Sequence, residues 1–235
     1  MKPWIHLDTA PMPDDGGDLR LMRRDTEFSI MAGSIELMNS RLSGSEEALA
    51  TLAWARLAGR PAPRILIGGL GMGFTLRAAL AVLPPDAQVT VAELVPAVVA
   101  WARGPLAEVF KGGLDDPRVT IHEGDVGPLI AAAPAAWDAI LLDVDNGPEG
   151  LTRKANDSLY DLPGLARAQT ALRPGGVLAV WSSAPDEGFT RRMRRSGLAT
   201  EVVRVPARKG GRGARHVIWL GVRGCLLYTS PSPRD

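Results

Sequence analysis

The chain has 235 residues, 46% hydrophobic and 23% charged, which is enough for one sizeable core with a small appendage. A formal net charge of +1 supplies no global attraction to nucleic acid or to an anionic membrane, and the single cysteine, Cys225, excludes an internal disulfide and any cysteine-based metal site. No run approaches the roughly 18 consecutive apolar residues of a membrane span, and the N-terminus lacks a charged start followed by an apolar signal core, so a cytoplasmic protein with no membrane or nucleic-acid partner is expected.

Residues 1–26 are rich in Pro, Asp and Gly without periodicity and are expected to form a poorly ordered lead-in. Residues 27–60 follow as a small N-terminal unit: Phe28 to Met31 and Ile35 to Met38 read as a short β-hairpin turning at Gly33, and Ser45, with Glu46 and Glu47 behind it, opens a helix through Leu57 with the serine as N-cap. Gly59, Pro61 and Pro63 mark a boundary. From there to residue 224, apolar strand-like runs at 64–67, 88–93, 118–122, 137–143 and 176–181 alternate with helical patterns at 73–83, 95–103, 127–132, 160–172 and 186–196. Such alternation predicts an α/β fold with a mostly parallel, Rossmann-like sheet covered on both faces. Two further strands, at 200–205 and 215–222, have no helix between them and are expected to pair antiparallel at the edge of the sheet. Such a last strand marks the class I methyltransferase sheet and is not expected in a plain dinucleotide domain. Arg191, Arg192, Arg194, Arg195, Arg204, Arg208, Lys209, Arg212 and Arg215 make this part locally basic, which reads as a solvated helix face and hairpin loop. Residues 225–235 break with the preceding composition and read as an artefactual tail.

The chemistry concentrates at strand ends. After the strand at 64–67 come Gly69, Gly71 and Gly73 in a G-x-G-x-G turn, where the backbone can approach a ligand and a following helix directs its free N–H groups toward it. A dinucleotide site calls for Gly or Ala where this chain has Phe74, so an S-adenosylmethionine-type ligand is favoured over NAD. Glu93 closes the next strand, about 20 residues on, where a carboxylate can accept both ribose hydroxyls. Asp125 follows the third strand and can accept the exocyclic amine of adenine. Leu94 and Val126, next to these acids, are further candidate cofactor contacts. The apolar strand at 137–142 delivers Asp143 and Asp145. Of these two acids Asp143, the nearer to the strand, is chosen to face the reaction centre and the cofactor. Asp145, which also reads as a turn-forming carboxylate, and Tyr160, which also reads as a packing residue with a wet hydroxyl, are candidate substrate contacts. His6, His122 and His216 have no partner at the spacing of a zinc site or nucleophile relay, so no metal is expected.

Together these residues resemble the spermidine synthase (aminopropyltransferase) family of the class I S-adenosylmethionine-dependent methyltransferase fold, over roughly residues 28–222. The segment from Gly69 to Arg77 is similar to the family's G-G-G-D-G-G-T-L-R, Glu93 matches its ribose acid, Gly124-Asp125 its adenine-site G-D, and Asp143 the first Asp of its D-S-x-D-P loop. The resemblance implies a transferase that binds S-adenosylmethionine or its decarboxylated form and moves a methyl or aminopropyl group to a small acceptor, an amine of the polyamine type, with Asp143 taking or orienting the amine proton; it leaves a homodimer open. The chain departs from the pattern in three places, one of them the family's second loop Asp-Pro, which is displaced here into Asp145 to Pro148. Met72 stands where the family has its glycine-loop Asp, and the upstream diamine-binding segment reads here as Arg41 to Ala48, with Glu46 and Glu47 but no histidine. The alternative these departures motivate is a catalytically weak nucleotide-binding or interaction module on the same fold.

Overall fold

In the computed structural model, which describes residues 2–13, 16–57, 59–132, 134–144, 148, 157–208 and 213–224, the apolar runs of the sequence become the centre of a seven-stranded sheet. β5 (Arg64–Gly68) lies in its middle, flanked in parallel by β6 (Gln88–Glu93) and β8 (Trp137–Leu142). β7 (Val119–Glu123) pairs with β6, and β9 (Leu172–Ser182) with β8. β10 (Ala199–Pro206) and β11 (Arg215–Val222) form the expected antiparallel hairpin, and it is β11 that pairs with β9, giving the order β10-β11-β9-β8-β5-β6-β7.

A strand buried on both faces needs apolar residues on both parities, which is why these runs are continuous rather than alternating. Ile65 and Ile67 enter one core together with Val89, Val91, Leu141 and Ala179. Leu66 faces the other way, against Ile140, Leu142, Leu178 and Trp219. The first face is covered by α1 (Gly44–Leu57), α2 (Phe74–Val82) and α3 (Pro96–Arg103), the second by α5 (Val126–Ala131), α7 (Leu162–Ala171) and α8 (Glu187–Arg195). Three short turns of helix complete the described chain: α4 (Ala107–Phe110), a 3-10 turn at Gly113–Asp115, and α6 (Asp157–Tyr160), which takes the first residue of the helix expected at 160–172.

The N-terminal region differs from the expected lead-in. Ile5–Pro11 and Asp18–Arg24 form β1 and β2, which join β3 (Glu27–Ala32) and β4 (Ile35–Asn39) in a four-stranded antiparallel sheet, so the anticipated hairpin is the second half of a larger unit. The pattern was diluted: β1 has one buried residue in seven, Ala10, and in β2 the inward Leu19 and Leu21 alternate with charged or partly exposed neighbours. Leu21 and Ile30 nevertheless pack into the same core as the large sheet, and the Trp101 indole N–H of α3 donates to Asp8 Oδ2 at 2.7 Å. The start of α1 also differs in detail. The helix begins at Gly44, whose N–H donates to the Ala207 carbonyl at 3.0 Å, and Ser43 accepts the Glu47 N–H, so Ser45 lies inside the first turn instead of capping it.

Candidate active site

The carboxyl ends of β5, β6, β8 and β9 open on one cavity, as the crevice of an open α/β sheet should. Of the residues expected there, Gly69, Gly71, Glu93, Leu94, Asp125, Val126 and Asp143 all line it. Gly73 is absent from the lining. It caps α2 with φ of +73°, and a Cβ there would meet the Phe110 ring at 2.4 Å, so this glycine serves packing. Gly69 is held differently. Its φ is +90°, its N–H donates to the Ala92 carbonyl at 2.8 Å, and a Cβ would lie 2.2 Å from the Asp143 carbonyl oxygen, so only glycine lets the loop pass this close to the end of β8.

Glu93 is buried and accepts backbone N–H groups, Oε2 from Leu70 in the glycine loop and Oε1 from Val95 before α3, both at 2.9 Å, with the Gly71 and Leu94 N–H groups also directed at it. Burial pushes its carboxyl up, and these N–H bonds work in the opposite direction. Asp125 caps α5, its Oδ1 accepting the Gly127 N–H at 2.7 Å.

Asp143 sits just past β8, its N–H donating to the Gly68 carbonyl at 2.9 Å, and its Oδ2 accepts the Thr75 hydroxyl at 2.6 Å. Glu46 is not among the candidate site residues chosen from the sequence, which reads it as a first-turn acid of α1 and, through the family resemblance, as part of the diamine-binding segment; α1 brings it to the cavity, where Asp143 is its charged neighbour. Burial, and for Glu46 the Asp143 charge as well, pushes both carboxyls up, Glu46 to about 7 and Asp143 to about 6. Two carboxyls that repel each other in a partly desolvated pocket share protons as a pair, and a cation placed there relieves both. Two acids opening a helix upstream of the glycine turn were the available signal.

Trp181, at the end of β9, was also missed. It is 6% exposed, lines the cavity, and its indole N–H has no partner among the described residues. Met12, Leu19, Ile30, Leu37 and Met38 of the N-terminal sheet close the cavity with an apolar wall, and Met72 joins them. Tyr160 lies elsewhere: it is buried in the core of the opposite sheet face, edge-on to Phe189 at 5.6 Å, which matches its reading as a packing residue. Asp145 falls outside the described residues. Among the described residues no group of three or more His, Cys, Asp or Glu is arranged to hold a metal ion.

A sheet in this order, with an antiparallel strand second from its edge and a glycine turn after its central strand, is the class I methyltransferase-like fold. Within that class the chain is similar to spermidine synthases. It is 33% identical over 124 residues to the polyamine aminopropyltransferase of Mycobacterium tuberculosis, covering 52% of this chain and 23% of that protein. Over 129 residues it is 33% identical to the polyamine aminopropyltransferase of Nitrosomonas europaea, covering 54% and 37% respectively, and over 151 residues 30% identical to the spermidine synthase of Coffea arabica, covering 63% and 45%. The chain thus spans less than half the length of the curated relatives it matches. No protein-family model matches it. The solved spermidine synthase from Thermotoga maritima superposes with a TM-score of 0.71 at 20% identity, over 93% of this chain and 73% of that one. A spermidine synthase solved with the transition-state analogue AdoDATO gives 0.70 at 19% identity, over 93% and 72%.

Proposed function

We propose that the protein is an aminopropyltransferase that takes decarboxylated S-adenosylmethionine as donor and a small amine as acceptor. The observation that carries this reading is the charge of the cavity: among the described residues that line it, Glu46, Glu93, Asp125 and Asp143 are acids and none is Lys, Arg or His. Glu93 and Asp125 fit the ribose and adenine of a nucleoside lying over the glycine turn. Glu46 and Asp143 remain at the other end, where they suit cations. A donor that has lost its carboxylate and an ammonium acceptor both meet that demand, whereas the carboxylate of intact S-adenosylmethionine would face acids with no side-chain cation among the described lining residues to pair with. The names of the relatives agree in kind.

The donor supplies an electrophilic carbon next to a sulfonium. The protein's own contribution is to hold the acceptor nitrogen in line with that carbon and to keep the nitrogen unprotonated, because an ammonium has no lone pair with which to attack. Asp143, fixed by the Thr75 hydroxyl, orients the nitrogen, and the Glu46 and Asp143 carboxylates accept its proton as a pair. The apolar wall from the N-terminal sheet excludes water, which strengthens the attraction between the acids and a bound cation.

Calorimetry with 5′-methylthioadenosine, S-adenosylmethionine and its decarboxylated form, followed by turnover with putrescine and spermidine, tests the reading. Tighter binding of the decarboxylated donor and formation of an aminopropylated amine are expected. Preference for intact S-adenosylmethionine with a methylated product would replace aminopropyl by methyl transfer, and nucleoside binding without turnover would favour the interaction module.

A further inference from the structure

Glu46 is connected to more than the cavity. Ser45, fully buried, places its Oγ 2.6 Å from Glu46 Oε2 and 2.8 Å from Nδ1 of His216 on β11. His216 is only partly buried, and Trp181 meets its ring edge-on at 4.9 Å and 87°. A continuous hydrogen-bonded chain therefore runs from a cavity carboxylate, through one hydroxyl, to an imidazole with access to solvent. Capping does not account for the serine, because the first turn of α1 is served by Ser43, whose carbonyl accepts the Glu47 N–H and whose hydroxyl donates to Glu47 Oε1, each at 2.9 Å.

We infer that Ser45 and His216 relay to solvent the proton that an acceptor amine gives to Glu46. The inference rests on the transferase reading above. An ammonium acceptor, R–NH3+, gives one proton to the Glu46 carboxylate. The freed lone pair forms the new N–C bond while the C–S bond of the sulfonium donor breaks and its electron pair returns to sulfur. The product is a secondary ammonium and a neutral thioether, and one proton is left on Glu46. Protonated Glu46 donates to Ser45 Oγ, Ser45 passes its own proton to His216 Nδ1, and the opposite ring nitrogen releases one to water.

The surroundings suit each step. Glu46 is faced by Asp143 from the end of β8 and by Glu47 on its own helix, and these acids with burial raise its proton affinity toward neutrality. His216 is met by Ser45 from α1 and Trp181 from β9, and pairs with Val205 of β10. Burial holds its imidazole below the ordinary value, so at neutral pH the ring is uncharged, able to accept a proton and unable to retain it.

The test compares wild type, Ser45→Ala, His216→Gln and His216→Ala with decarboxylated S-adenosylmethionine and putrescine. Each variant is expected to lower kcat about ten-fold or more, to leave KM and 5′-methylthioadenosine affinity unchanged, and to alter the pH profile of kcat. Added imidazole should restore His216→Ala. Wild-type kcat and pH profile in Ser45→Ala or His216→Gln would overturn the relay while the transferase reading stands. So would a loss of rate that tracks lost nucleoside binding and that imidazole does not restore, the signature of a structural role. Wild-type protein that binds nucleoside but alkylates no amine would overturn the transferase reading, and the relay with it.

Discussion

Thr75 Oγ1 lies 2.6 Å from Asp143 Oδ2 and 3.2 Å from the main-chain carbonyl oxygen of Glu46, so one hydroxyl at the start of α2 links the end of β8 to the start of α1. The shorter bond goes to the carboxylate, and hydrogen bonding to the charged form opposes the rise that burial imposes on Asp143. Thr75→Val is therefore expected to raise the Asp143 carboxyl further and to move the acid limb of the rate profile to higher pH. Asp143→Asn should lower kcat by about 10²–10⁴-fold, the usual range for a lost general base, while sparing nucleoside affinity. Steady-state kinetics across pH, beside calorimetry with 5′-methylthioadenosine, checks both; an unchanged kcat in Asp143→Asn would remove the residue from its assigned role.

Glu93 joins the glycine loop to the start of α3 through its bonds to the Leu70 and Val95 N–H groups. In Glu93→Gln one of the two positions must present an amide NH2 to a backbone N–H, which leaves a buried donor without an acceptor. A hydrogen bond to a charged group contributes about 1.5–3 kcal/mol, so nucleoside affinity is expected to fall by roughly 10–150-fold. Calorimetry at fixed pH measures it. Affinity within two-fold of wild type would mean that ribose does not lie against this carboxylate.

What could be read in advance follows from where the signals lie in the chain. The strands from β5 to β9 are continuous apolar runs because both sheet faces are covered, and Gly69, Glu93 and Asp143 stand at their carboxyl ends, so the rim could be assembled by position alone. Glu46 and Trp181 carried no such mark: one looks like an ordinary first-turn acid and the other like the last residue of a core strand, and only the packing of α1 beside β9 brings both to one cavity. β1 and β2 escaped for a different reason. An edge strand with one buried residue and a neighbour studded with arginines lack the hydrophobic period that marks a strand. Tyr160 shows the converse, an aromatic residue beside a candidate loop that proves to be core.

The raised carboxyls also set a pH dependence of stability. Glu46 and Asp143 bind protons more tightly in the folded protein, at about 7 and about 6, than at their ordinary values of 4.5 and 3.8. Between those limits the folded state holds more protons than the unfolded state, so this contribution is fully present below about pH 4 and is lost as pH rises through 6 to 7. Glu46→Gln is expected to flatten this part of the profile, making the variant more stable relative to wild type at pH 8 than at pH 5. Thermal unfolding without ligand, scanned from pH 5 to 8, reads the difference, for which each kcal/mol corresponds to about 2–4 °C in a domain of this size. A parallel displacement of the two curves at every pH would show that the paired acids are not the cause.

Asp138 supplies the contrast, an acid that belongs to the scaffold. It is 1% exposed at the start of β8, where Oδ1 accepts from Arg60 Nη1 at 2.5 Å, and Oδ2 accepts from the Arg64 backbone N–H at 2.8 Å and Arg173 Nη1 at 2.9 Å. It thereby ties the chain entering β5 to the start of β9, at the opposite end of the sheet from the cavity. Asp138→Ala leaves the Arg64 N–H without its acceptor and two guanidinium groups without their counter-ion. Both arginines are partly exposed and can turn toward water, so the cost should fall at the low end of the range for breaking a buried pair, about 3 kcal/mol. A fall in Tm of roughly 6–12 °C is expected, with nucleoside affinity and kcat per folded molecule unchanged below the transition. Arg60→Ala should cost less, because Asp138 keeps Arg173 and the Arg64 N–H. If the arginine substitution proves the more damaging, the centre of this cluster is the guanidinium and not the acid.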